Sequence, residues 1–173
     1  MSGEIREAIV AEIGQRPGRW RVSRRGCALG ARPETVRILR TVVRGELALA
    51  AVEFEDRSGR PWSWAFGAVR GRDGGWKVCG GAGGGLASGR EPWASLGGWR
   101  WSGRWCLGGR VHGEQVRAVR LTDAAGSTVE DVVEGGYALL IAPEPARRPL
   151  RVELLDAESA VLAAQSWPPR GRP

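Results

Sequence analysis

Apart from its 19 carboxylates, few side chains with acid–base or metal chemistry are available to this chain: one lysine, one histidine, one tyrosine, one methionine and three cysteines among 173 residues. With His112 the only histidine, any Ser-His-Asp or Cys-His arrangement, and any histidine-containing zinc site, would have to pass through it. Cys27, Cys79 and Cys106 are odd in number, widely spaced and form no CxxC pair. That argues against a disulfide framework and against a zinc knuckle, and predicts three ordinary thiols with no metal and no cofactor. No apolar run approaches the roughly 18 residues that a membrane span needs. The opening Met1-Ser2-Gly3-Glu4-Ile5-Arg6 also lacks the basic-then-apolar order of a signal peptide. A cytoplasmic location without membrane association is the expectation.

Hydrophobic residues make up 42% and charged residues 26% of the sequence, as in a folded globular domain. The net charge of +7 is unevenly placed, because residues 1–90 hold 16 basic and 9 acidic side chains while residues 91–173 hold 10 of each. Within the first half, residues 15–44 contain Arg16, Arg19, Arg21, Arg24, Arg25, Arg32, Arg37, Arg40 and Arg44 against Glu34 alone. A positive local field follows. Lys77 is the only lysine, an arginine bias that accompanies abundant Ala and Gly and reads as a GC-rich coding genome.

Ser2 to Gly14 predicts an amphipathic helix: Ser2 can cap, Glu4 suits the positive N-terminal end, and Ile5, Ile9 and Ile13 recur every four residues. The period then shortens. Trp20 to Val22 is a short strand candidate, and Thr35 to Val43 is a β-branched segment that places Val36, Ile38 and Val42 on one face, which Arg40 interrupts. The Pro33-Glu34 start leaves a second helix open there. Glu46 to Glu55, Pro61 to Arg70 and Trp76 to Cys79 follow as hairpin strands, with Ala48, Ala50, Val52 and Phe54 facing Trp62, Trp64 and Phe66 so that small side chains oppose large ones. Glu53, Glu55 and Asp56 are expected near an exposed strand end.

The run Gly80 to Gly85, continuing to Gly89, is expected to hold no regular structure, and residues 81–92 become the linker between a first domain (1–80) and a second (93–167). It carries neither GxxxxGK[ST] nor GxGxxG, which argues against a phosphate cradle. Beyond it, Gln115 to Thr122, Thr128 to Val133, Gly136 to Ala142, Leu150 to Asp156 and Ala160 to Trp167 predict short strands with turn signals about every ten residues, and Trp105 to Val111 a sixth. Residues 168–173 read as a disordered tail. The fold class is therefore mostly β, of the α+β type: an N-terminal helix on an antiparallel meander, then a small β-sandwich.

The first half, a helix followed by hairpins that end in Asp73-Gly74-Gly75-Trp76-Lys77-Val78, resembles the cystatin-like and NTF2-like families, which implies one helix lying on a curved sheet. The second half, through Val116 to Gly126, Gly135 to Ile141 and Leu150 to Asp156, is similar to immunoglobulin-like and transthyretin-like sandwich modules, which implies a scaffold and no chemistry. The whole chain is also similar to proteins of high-GC actinobacteria, which implies a class of organism and no activity.

Among candidate constellations, Cys106 and His112 would lie on one face of a strand but about 20 Å apart, too far for a thiolate and its base. Glu130, Asp131 and Glu134 lack an alternating calcium-ligand loop and read as a solvated face. Arg19, Arg21 and Arg37 form a candidate basic patch. The distinctive feature is tryptophan: nine, against two phenylalanines and one tyrosine. Trp93, Trp99, Trp101 and Trp105, interleaved with Arg100 and Arg104, suit a recognition surface or a glycine-relieved core. The leading reading is a non-enzymatic binding module with a protein partner that uses Trp93, Trp99, Arg100, Trp101, Arg104 and Trp105. A small-ligand site or enzyme with a cavity under the first sheet is the alternative, and nucleic-acid binding through residues 16–44 a further one.

Overall fold

The computed structural model describes residues 2–15, 21–22, 27–28, 32–84, 91–142 and 146–167. Helix α1 (Ser2–Gln15) is followed by two-residue strands β1 (Arg21–Val22) and β2 (Cys27–Ala28), and then by eleven longer strands. Strands β3 (Arg37–Arg44), β4 (Leu47–Glu55), β5 (Pro61–Arg70) and β6 (Trp76–Gly84) form a first antiparallel sheet in that order. A middle sheet is ordered β11 (Tyr137–Ile141), β8 (Arg104–His112), β7 (Trp93–Trp101). A third is ordered β10 (Thr128–Val132), β9 (Ala118–Thr122), β12 (Leu150–Leu155), β13 (Val161–Trp167). The protein is mostly β with one N-terminal helix, as its patterning predicts. Among the described residues no helix is long and apolar enough to cross a membrane.

The elements stack as helix, first sheet, middle sheet, third sheet. Ile5, Ile9 and Ile13 of α1 are buried against Ala48, Ala50, Val52, Phe54, Trp62, Trp64 and Phe66. The register sets Val52 opposite Trp64 and Ala50 opposite Phe66, the expected pairing of small with large, while Phe54 opposite Trp62 sets two large side chains against each other. The opposite face of the first sheet, with Leu47, Leu49, Ala51 and Ala65, packs on Cys106, Tyr137 and Leu139 of the middle sheet. Leu107, Leu140, Ala94 and Leu96 point the other way and share a core with Val119, Leu121, Val152 and Leu154 of the third sheet. Strand β11 is buried almost throughout because both of its faces are covered.

Two local expectations need correction. Val36, Ile38 and Val42 do not share one face, because the β3–β4 register shifts between Ile38 and Arg40. This bulge at Leu39 leaves Val36 and Ile38 toward α1 and turns Val42 toward the middle sheet. Arg40, opposite Ala51, faces the same way as Val42, so it interrupts no apolar stripe. The Pro33 start yields only a three-residue 3₁₀ turn, Pro33–Thr35. The glycine run is the second correction: Gly80 to Gly84 continue β6, paired with Gly67 to Ser63 of β5. Pairing with β5 satisfies the backbone groups on one side of this edge strand, and neighbours occupy the volume where side chains would stand at Gly80, Gly81 and Gly83. A Cβ on Gly81 would lie 2.7 Å from the Trp64 indole, and one on Gly80 would lie 2.4 Å from that of Trp99. The rest of the expected linker, residues 85–90, and the tail at 168–173 lie outside the described residues.

Candidate functional site

Strands β7 and β8 form a hairpin closed at Ser102 and Gly103, both at positive φ (46° and 84°), as a two-residue turn of the primed type requires. Its register opposes Trp101 to Arg104, Arg100 to Trp105, Trp99 to Cys106 and Trp93 to His112. Alternation then splits the six candidate residues among three places. At the end remote from the turn, Trp93 stacks flat on His112, with ring centroids 4.2 Å apart and 4° between planes. Eight residues of strand, about 26 Å, separate this pair from Trp101. On the face toward the first sheet stand Trp99, Trp101 and, by its register with Trp101, Arg104. On the opposite face stand Arg100 and Trp105.

Trp99 lies over the backbone of Gly67 and Gly80, where any Cβ would come within 2.6 Å of its ring. It belongs to the packing between the sheets. Trp101, two residues on, passes the edge of that packing and is 36% exposed, whereas Trp62 and Trp64 are at 8% and 5%. Across the sheet, Trp105 meets Trp167 edge-on at 5.2 Å. The guanidinium of Arg148 lies 4.1 Å above the Trp105 ring and 5.8 Å from that of Trp167, and the Arg100 guanidinium is 6.0 Å from Trp105. Trp167 donates its indole N–H to the Leu96 carbonyl at 3.2 Å, which fixes its ring. Arg148 and Trp167 were not legible as members of this site, since they come from the β11–β12 connection and the last strand. The only signal was that Arg147-Arg148 and Trp167 flank the strands β12 and β13.

Side chains engage backbone groups on both edges of the middle sheet. On the β7 side, Gln165 donates to the Ala94 carbonyl (3.1 Å) and Trp167 to that of Leu96. On the β11 side, Arg40 donates to the Tyr137 carbonyl (3.3 Å), while Asp131 accepts from the Leu139 amide (2.7 Å). Arg40 and Asp131 also pair with each other through both carboxylate oxygens, and their side chains are 11% and 13% exposed. Asp131 is therefore not part of a solvated acidic face; only Glu130 and Glu134 are exposed. A sheet edge left open inside a stack would bury unpaired polar groups, and these contacts supply partners there.

A second polar group, unforeseen because it joins residues 74 and more apart, lies between the first and middle sheets. The Tyr137 hydroxyl donates to Glu53 Oε1 at 2.8 Å and stands 2.9 Å from Ser63 Oγ. Arg37 and Arg110 reach Glu53 at 3.4 and 3.7 Å. Glu53 is thus half-buried and engaged rather than free at a strand end. Burial holds the Tyr137 hydroxyl above its ordinary titration range, so it keeps its proton and serves as a structural donor.

The other expected nucleophiles and bases do not converge. Cys106 is buried and its thiol is pushed up to about 12 by burial; burial likewise pushes Cys79 up to about 11. Burial, then the charge of Arg110, holds His112 below its usual range. Arg37 is exposed beside Glu53, while Arg19 and the side chain of Arg21 lie outside the described residues. Comparison with family models, curated proteins and solved structures finds no match to this chain, so the reading of its site rests on the geometry above.

Proposed function

We propose that the chain is a non-enzymatic interaction module that recognises a protein partner with the tip of its β7–β8 hairpin. The observation that carries this reading is the exposure of Trp101 at a turn crowded by Arg100, Arg104 and the Arg148–Trp105 stack, while the other described tryptophans are buried or half-buried. Exposed indoles beside guanidinium groups supply contact area and directional donors together, the usual make-up of interface hot spots. The core between α1 and the first sheet is filled by isoleucine, tryptophan and phenylalanine side chains, and the pocket at its edge, lined by Gly3, Arg6 and Ile38 to Thr41, is open and holds no carboxylate, which favours this reading over an enclosed ligand cavity there. In the arginine-rich segment, Arg32, Arg37 and Arg40 are already ion-paired with Glu34 and Glu55, Glu53, and Asp131, which favours the hairpin over residues 16–44 as the contact surface.

The test is affinity capture from cell extract with the wild-type chain and with Trp101→Ala. A half-exposed residue at a turn should change unfolding stability by no more than about 0.5 kcal/mol when truncated. Binding should fall by about 2 kcal/mol or more, the range for a hot-spot indole. A partner retained by the wild type and lost by the variant is the expected result. Identical capture by both would overturn the proposal.

A further inference from the structure

Resting on the reading of the hairpin tip as a contact surface, we propose that the Arg148–Trp105–Arg100 stack is a receptor for carboxylate groups and that the partner presents an acidic peptide segment to it. Six described arginines, Arg32, Arg37, Arg40, Arg110, Arg120 and Arg151, each lie within 3.7 Å of a Glu or Asp oxygen. Arg100 and Arg148 have no carboxylate partner among the described residues. Asp123, whose turn lies beside Arg147, accepts from the amides of Ala125, Ser127 and Arg147 and offers them no free oxygen. Two guanidinium groups without a carboxylate partner among the described residues are thus gathered at one indole.

The stacking matters as much as the charge. A guanidinium over an indole face can keep N–H donors for a ligand, and a guanidinium's forked donors match the two oxygens of a carboxylate. Arg100 donates Nε to the Gly103 carbonyl at 3.3 Å, which anchors the side chain and leaves its terminal nitrogens for a ligand. Two guanidinium groups are thus held around one ring before any partner arrives, which reduces the ordering cost of binding. A nucleic acid fits less well. Single strands are held by stacking bases on open aromatic faces. Here the Trp105 ring is covered by Arg148 and abutted by Trp167, so only the donors are presented.

Fluorescence anisotropy with the full chain tests this, using a labelled ten-residue peptide of alternating Glu and Ser, the same peptide with Gln for Glu, and a ten-nucleotide oligothymidine. The Glu peptide should bind, with affinity falling as salt rises, and the Gln peptide and the Arg100→Gln/Arg148→Gln variant should each weaken binding at least about tenfold. Arg151→Gln, which removes one positive charge from the outer face of the third sheet, should leave it unchanged. No binding of the Glu peptide, equal loss with Arg151→Gln, or preference for the oligothymidine would overturn the proposal. The two readings separate on the captured partner: its loss with Trp101→Ala but not with the double arginine variant refutes the carboxylate receptor alone, and its retention by both variants refutes the hairpin surface as well.

Discussion

The packing of Trp99 on two glycines makes a prediction that needs no ligand. Trp99→Ala removes a half-buried indole from between the first and middle sheets, and because fully buried Trp→Ala changes cost about 3–5 kcal/mol, a loss of about 2–3 kcal/mol is expected here. Gly67→Ala places a methyl 2.6 Å from the indole Cζ2, a distance at which the ring must shift. Overpacking of this kind costs about 1–3 kcal/mol. In the Trp99→Ala background the same methyl enters the space the indole left, and an alanine in a strand interior is about 0.5–1 kcal/mol better than glycine. Gly67→Ala should therefore change from destabilising to neutral or stabilising. The coupling in a double-mutant cycle should be about 1–3 kcal/mol, read from urea unfolding of the four proteins. Additivity within about 0.5 kcal/mol would refute the claim that glycine is present at 67 to admit the indole. Gly80→Ala, with its Cβ 2.4 Å from the same ring, supplies an independent cycle.

Asp131→Ala removes the acceptor of the Leu139 amide and the buried partner of Arg40, which keeps Glu134 at 3.2 Å and the Tyr137 carbonyl at 3.3 Å, and should cost about 1–3 kcal/mol in urea unfolding, whereas a loss below about 0.5 kcal/mol would show that the pair is solvated. His112 takes up a proton less readily in the folded chain than its ordinary 6.5, so the unfolded chain gains protons first and stability must fall as pH drops below about 6.5. That part of the acid loss should vanish in His112→Gln, and an unchanged pH profile would refute it.

Much of the fold was legible because its signals are local. Ile5, Ile9 and Ile13 set the buried stripe of α1, and alternation in Leu47 to Phe54 and Trp62 to Phe66 set the register of β4 and β5. What escaped reading depends on partners distant in sequence. The glycines of β6 look like a linker until Trp64 and Trp99 are seen to occupy the volume beside them. Arg40 looks like a defect in an apolar strand until the bulge at Leu39 turns it toward Asp131, 91 residues away. The tryptophan-rich segment was visible as a segment, but alternation divides it, and the arginine stacked closest on Trp105 comes from a different connection.

The stacking of the sheets restricts where the tryptophan-rich strands can meet another molecule. The middle sheet is covered on one face by the first sheet and on the other by the third. Its β11 edge is engaged by Arg40 and Asp131 and its β7 edge by Gln165 and Trp167. A partner cannot add a strand at Ala94 or Leu96, because those carbonyls already accept hydrogen bonds. The two ends of the strands differ. At one end Trp93 and His112 stack on each other and are half-buried. At the other the turn at Ser102-Gly103 projects, with Arg100, Trp101 and Arg104 all exposed around it. Burial of the middle sheet therefore concentrates whatever recognition β7 and β8 perform at that turn. A substitution in the body of the hairpin, such as Trp99→Ala, should act through stability, and one at the tip, such as Trp101→Ala, through binding.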